Sequence, residues 1–292
     1  MKTFVLGIDG ATFDQLNPLM EQGYLPNIKF MCERGAFGPL ETVFPPVTAP
    51  AWLSMATGLN PGKTGIFDYI NKTSADKMQV SPVSSAAYSN RAVWNYLNRN
   101  GYATGLFNYP TLFPPPKVNG FAVSGMGAPK NTSFCFPEEL NGEILSLSPS
   151  YQTALNLRNS RYKRDIGLFF KDIDRIIESQ KTVLLHLIRN KKWDFFFAVF
   201  SFTDWMQHVL WKDIDPSHSL YNPKTSPNVH YKYKKQWQKV DQIIGELLSL
   251  LPPDTNFIIV SDHGAGPLDS VFLFQHLAQA KRLAEEKENV FF

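Results

Sequence analysis

Cysteine is almost missing from this sequence. Cys32 and Cys135 are the only two in 292 residues, they lie far apart, and neither sits in a metal-type spacing. That pattern argues against a thiolate metal site and fits free thiols in a reducing compartment. Long apolar runs are missing too, so no stretch reaches membrane-spanning length. The opening "MKTFVLGIDG" is too short for a secretory leader and runs straight into a turn. The expectation is a soluble cytoplasmic chain with no membrane partner. Strong net charge is the third absence. Lys and Arg total 29 against 26 Asp and Glu, a formal charge of +3 that points to no dedicated nucleic-acid surface. The basic clusters in "NSRYKRD" and "HYKYKKQW" read as solvated helix faces.

Hydrophobic residues, in contrast, make up 43% of the chain, enough for a sizeable α/β core. Short apolar runs alternate with helical periodicity. "TFVLGID", "YATGLFNY", "WDFFFAVFSF" and "TNFIIVSDHG" read as buried strands. Helices are expected near 12–22, 26–34, 162–190, 231–251 and 272–288. Another fits "SNRAVWNYLNRNG", started by Ser89 or Asn90 and ended by Gly101. The expected class is α/β, a mostly parallel central sheet flanked by helices. Residues 110–160 and 211–229 are rich in polar residues and proline and read as loop-rich cap insertions.

Three of these runs finish in a carboxylate: "VLGIDG", "AVFSFTD" and "IIVSDHG". Ligands of an open parallel sheet bind beyond the carboxyl ends of its strands, so Asp9, Asp204 and Asp262 should converge on one edge. Taken singly, each is an ordinary cap or turn residue. Asp204 and His208 are four apart on one helical face, and His263 directly follows Asp262. Mixed carboxylate and imidazole donors suit zinc or manganese. His186, His218, His230 and His276 read as surface or packing residues. Trp52, Tyr69, Trp205 and Trp211 could stack a base, but core packing is the more common role for such residues.

The stretch "VTAPAWLSMATGLNPGKTGIFDY" holds two competing phosphate readings. A phosphate-binding loop needs four residues between its first Gly and the Gly-Lys pair, but Gly58 and Gly62 enclose only Leu59, Asn60 and Pro61. Pro61 also removes a backbone N–H from the intended cradle. The other reading is a nucleophilic Thr48 at a helix start, ahead of Pro50, where the dipole and free N–H groups favour anionic oxygen. Its plain alternative is a helix-capping threonine.

Together "GIDGATFD", "PPVTAPAW", "ATGLNPGKTGIFDY", "TDWMQHVLW" and "VSDHGAGP" resemble the type I phosphodiesterase and nucleotide pyrophosphatase family of the alkaline phosphatase superfamily. The nearest likeness is to its prokaryotic branch of phosphohydrolases and phosphomutases. The motifs stretch from residue 7 to 267, and their order makes the joint match specific. The resemblance implies an alkaline-phosphatase-like fold and hydrolysis of a small phosphoester or nucleotide. It implies two divalent metal ions, zinc by preference and manganese as the alternative. One would be held by Asp9, Thr48, Asp262 and His263. The other would be held by Asp204, His208 and a further histidine. Thr48 would attack phosphorus and form a phosphothreonine.

Two departures from the family pattern stand out. Thr64 replaces a common histidine, and relatives draw their last metal histidine from a region beyond "SDHG", whereas this sequence stops at Phe292. The expectation is therefore a single 1–292 domain that is a fragment of a longer one, with Asp204 and His208 as an open half-site. The competing expectation is a silent homologue that binds metal or nucleotide without efficient turnover. A sulfatase would need Cys or Ser in place of Thr48, and a mutase would favour Ser.

Overall fold

The structure is a computed structural model that describes residues 1–72, 80–88, 90–129, 131–157 and 159–267. The expected helix over 272–288, His276 and a Ser89 cap lie outside the described residues.

The chain opens with β1 (Thr3–Ile8), α1 (Phe13–Glu21) and α2 (Pro26–Arg34), then an irregular stretch to α3 (Thr48–Thr57) and the one-turn α4 (Pro61–Thr64). A small antiparallel ribbon, β2 (Ile70–Lys72) with β3 (Val80–Pro82), precedes α5 (Val93–Arg99) and β4 (Thr104–Tyr109). Next come β5 (Gly120–Ser124), β6 (Cys135–Phe136), α6 (Leu140–Leu147), α7 (Arg161–Arg164) and α8 (Ile166–Asn190). The last described elements are β7 (Phe195–Phe200), α9 (Phe202–Ile214), α10 (Ser226–Leu250) and β8 (Asn256–Val260).

Among the described residues, six strands form the main sheet in the order β6-β5-β4-β7-β1-β8. All its pairings are parallel except β5 with β6. Parallel strands buried on both faces explain the continuous apolar runs in the sequence. The two-residue period then sorts each run into two cores. Phe4, Leu6 and Ile8 of β1 and Phe196, Ala198 and Phe200 of β7 face one side, packed with α1, α2, α8, α9 and α10. Val5, Phe197 and Val199 face the other, packed with Trp52 and Leu53 of α3 and Trp94 of α5.

The expected 162–190 helix is two helices. Asp165 breaks from helical geometry, and its side chain caps α8 by accepting the Gly167 N–H at 2.8 Å. Residues 110–160 contain β5, β6 and α6, so this polar stretch also contributes strands to the main sheet. Their signal was weak because β5 is five residues long and β6 only two. No helix among the described residues is long and apolar enough to cross a membrane.

Candidate metal centre and nucleophile

Register decides where the site falls. Ile8 of β1 lies beside Phe200 of β7, and Gly7 lies beside Val260 of β8. The chain therefore leaves all three strands at one edge of the sheet. Asp9 follows β1 directly, and Asp262 comes two residues after β8. Asp204 lies in the first turn of α9 rather than at the tip of β7, so a helix, not the strand itself, presents it. Asp9 and Asp262 are almost fully buried.

These side chains meet. One ligand atom from each of Asp9, Asp204 and His263 lies within 4.8 Å of the others. His263 Nε2 is 3.3 Å from Asp262 Oδ2 and 3.5 Å from Asp9 Oδ1. Thr48 Oγ1 lies 3.1 Å from the same nitrogen. Thr48 is the first residue of α3, while Val47 takes the cap position and makes no side-chain cap bond. The capping alternative for Thr48 thus does not describe this helix. α4 also answers the phosphate-loop question: Asn60 caps it by accepting the Lys63 N–H, which makes "LNPGKTG" a turn and a single helical turn.

His208 sits on the outer side, its Nε2 3.2 Å from Asp204 Oδ2 and its side chain two-thirds exposed. The Asp204 carboxylate raises the His208 pKa through that hydrogen bond, against the lowering effect of burial. The centre itself is short of positive charge. Burial, and then repulsion from Asp262 and Asp204, push the Asp9 carboxyl well above its ordinary range. Burial likewise pushes Asp262 up to about 7, although the Gly10 N–H works in the opposite direction. Asp9 Oδ1 and Asp262 Oδ2 are buried without a hydrogen-bond partner. Buried carboxylate oxygens with no donor and a neighbouring imidazole are what a divalent cation would satisfy, so the donor set fits a metal.

The surroundings fix this geometry. Trp52 Nε1 donates to Asp9 Oδ2 at 3.3 Å, and the Tyr109 hydroxyl donates to the Trp52 carbonyl at 2.7 Å. Gly7 makes room for the indole, since a Cβ there would stand 2.3 Å from Trp52 Cη2. Gly10 has a left-handed φ of +72°, which frees its N–H to donate to Asp262 Oδ1 at 3.3 Å. Its carbonyl accepts from Gln207 Nε2 at 2.9 Å, and Gln207 Oε1 accepts from Gln15 Nε2 at 2.6 Å.

A cavity of about 570 Å³ opens in front of the centre, lined by Thr48, Tyr69, Asp204, His208, Trp211 and His218, among others. Tyr69 and Trp211 thus face the cavity, whereas Trp52 and Trp205 are buried core. Of the histidines set aside in the sequence, His186 pairs with Glu143 at 2.6 Å, and His230 lies against Tyr233. Sequence reasoning missed His218 and Gln207. Neither belongs to a strand-end pattern, and only the fold turns them toward the site.

Solved structures of similar fold include phosphonoacetate hydrolase from Sinorhizobium meliloti 1021. Its complex with phosphonoacetate matches with a TM-score of 0.59 at 16% identity, covering 95% of this chain and 61% of the other. Its complex with phosphonoformate gives 0.55 at 17%, covering 90% and 56%. This chain therefore spans roughly three-fifths of the length of those proteins. No protein of curated function matches it in sequence. The model of the type I phosphodiesterase / nucleotide pyrophosphatase family, however, matches residues 3–291, and with a six-stranded, mostly parallel sheet of alkaline-phosphatase type beneath the motifs, the chain belongs to that family.

Proposed function

We propose that this chain is a metal-dependent phosphoric ester hydrolase of the phosphodiesterase type, with Thr48 as its nucleophile. The observation that carries the reading is the placement of Thr48 Oγ1 3.1 Å from His263 Nε2, beside two buried carboxylates that each keep one oxygen without a hydrogen bond. Asp9, Thr48, Asp262 and His263 would hold one divalent cation, and Asp204 and His208 a second, with zinc first and manganese second on donor type. Bound cations would supply Lewis acidity, lowering the pKa of the Thr48 hydroxyl and neutralising phosphoryl oxygens. Two such ions against three carboxylates leave a formal charge of about +1, suited to a phosphodiester anion.

The chain's own groups do the rest. The fixed helix start holds Thr48 Oγ1 at the cavity wall. Thr48 and Ala49 keep backbone N–H groups that no preceding turn can engage, and these can hold a non-bridging phosphoryl oxygen. Attack of Thr48 Oγ1 on phosphorus forms the new P–O bond and breaks the bond to one ester oxygen, which leaves as an alcohol, the threonine proton reaching it by way of solvent; the threonine then carries a phosphoryl group that keeps the second ester substituent. Water then attacks the same phosphorus, restores the Thr48 hydroxyl and releases the phosphate monoester. The substrate is a small phosphoester or nucleotide that fits the cavity. Free Cys32 and Cys135 suit a cytoplasmic setting.

The test is turnover of bis(4-nitrophenyl) phosphate by the zinc- or manganese-loaded protein, with acid-quenched samples analysed by mass spectrometry. The expected result is metal-dependent release of 4-nitrophenol and a 4-nitrophenyl phosphoryl adduct on the peptide carrying Thr48. Metal uptake with no turnover would instead support the silent-homologue reading.

A further inference from the structure

We infer that His218 is a substrate-contacting residue that donates a hydrogen bond from Nε2 to the phosphoryl group, and that it is not the missing ligand of the Asp204/His208 metal site. The inference rests on the functional reading above, and it assigns a role to a histidine in the loop after α9.

That loop is built rather than loose. Asp215 anchors it: its Oδ1 accepts from Ser217 N at 2.9 Å and from Ser217 Oγ at 2.6 Å, and its Oδ2 accepts from Trp211 Nε1 at 3.3 Å. The His218 N–H donates to the Asp215 carbonyl at 3.1 Å, and the His218 carbonyl accepts from Tyr221 N at 2.9 Å. The far end is tied back to α9, where Ser226 Oγ donates to buried Asp213 Oδ1 at 2.6 Å. These bonds hold the imidazole in the wall of the cavity that also contains Thr48, Asp204 and His208.

The tautomer follows from one further bond. The Leu220 N–H donates to His218 Nδ1 at 3.1 Å, so Nδ1 must carry a lone pair. In a neutral imidazole the proton then sits on Nε2, which becomes a donor. A metal ligand needs the reverse arrangement, and His263 has it: its Nδ1 lies 2.7 Å from the Gly264 carbonyl, an acceptor-only partner. Nδ1 of His263 therefore carries the proton, and Nε2 is left with its lone pair toward Thr48 and the carboxylates. Two histidines of one cavity are thus set in opposite tautomers by their own backbones, one to bind a cation and one to donate to an anion.

The test uses the 292-residue chain and two calorimetric titrations, the metal-free protein with zinc alone and the zinc-loaded protein with inorganic phosphate. His218→Ala should leave zinc affinity nearly unchanged, because the hydrogen bonds of His218 go to its own loop and not to a residue that would hold the ion. Phosphate binding should weaken by about tenfold or more, the usual effect of losing a hydrogen bond to a charged group. His218→Gln should recover part of that loss, because its amide still offers an N–H donor, and it also guards against a loop defect in the Ala variant. A drop in zinc affinity or stoichiometry for both variants would make His218 a metal ligand and overturn the inference. Unchanged phosphate affinity in both would overturn it as well. Wild-type protein that binds zinc and phosphate yet turns over no diester would count against the hydrolase reading alone, since the phosphate comparison needs no turnover.

Discussion

His263 Nδ1 faces the carbonyl oxygen of the next residue, Gly264, at 2.7 Å. A single backbone carbonyl thereby fixes which imidazole nitrogen is free, and the free one lies closest to Thr48. The pairing works because "SDHG" bends immediately after β8, which turns a peptide group back on the ring that precedes it. Ser261 Oγ adds to the bend by donating to the His263 carbonyl at 2.8 Å.

Thr48 tolerates one replacement and not another. Thr48→Ala should lower diester turnover by about three orders of magnitude or more, because the attacking atom is gone. Zinc content by elemental analysis should fall little, since Asp9, Asp262 and His263 persist. Thr48→Ser should keep measurable activity. Full activity in Thr48→Ala would point instead to a water-derived nucleophile.

Stability should depend on pH in an unusual direction when metal is removed. Asp262 titrates at about 7 in the fold, well above a free carboxyl near 4. The folded state therefore binds its proton more tightly than the unfolded chain does. The stability this proton provides is complete below about pH 4 and is lost as pH rises through about 7. Asp9 is shifted in the same direction and adds to the effect. In chelator, the melting temperature should fall between pH 5 and pH 8, and excess zinc should reverse the fall. A flat profile in both conditions would mean that the carboxylates are not strained by burial.

Zinc titration should be sequential. Asp9, Asp262 and His263 are buried or nearly so and already face one another, whereas His208 is largely exposed. The first equivalent should bind tightly. A second should bind more weakly, because two protein ligands hold zinc less well than the three usual in a catalytic site. Asp204→Ala should weaken the second step more than the first. Two equally tight equivalents in calorimetry would show that another group completes the outer site.

Gly10 is the glycine whose replacement bears most directly on the metal centre. With φ at +72° and a would-be Cβ 3.0 Å from Gln207 Nε2 and 3.1 Å from Asp204 Oδ1, Gly10→Ala faces both backbone strain and a clash. It should cost about 1–3 kcal/mol in urea unfolding. Gln207→Leu removes three hydrogen bonds, to Gly10, Thr203 and Gln15, but leaves the backbone alone, and should cost about 1–3 kcal/mol. Zinc affinity should fall in both variants, because Gly10 N–H holds Asp262.

Much of this site was legible before any coordinates. Strands ending at Asp9 and Asp262 follow from apolar runs that stop at a turn, and parallel pairing then brings them to one edge. Asp204 and His208 follow from helical spacing. What could not be read was anything set by side-chain placement between distant segments. The Gly10–Gln207–Gln15 chain joins residues almost two hundred positions apart, and no local pattern marks it. His218 looked like one more polar loop residue because its tautomer depends on the Leu220 N–H, a bond that exists only once the loop has closed. The break at Asp165 escaped for the opposite reason: apolar periodicity runs through it, and the cap is visible only as geometry.

The notch at Gly7 has a consequence for how this sequence can change over time. The indole of Trp52 occupies the space that any side chain at position 7 would need, and the same indole donates to Asp9. Neither residue can drift alone. A methyl at 7 evicts the ring while 52 is still tryptophan, and a smaller residue at 52 leaves a hole that glycine cannot fill. A viable path must therefore pass through a paired exchange, or through an intermediate weak in both packing and carboxylate alignment. In a library randomised at both sites, survivors should be sparse along either axis alone and should cluster around compensating pairs. Two unremarkable positions in a strand and a helix would thus behave as one heritable unit.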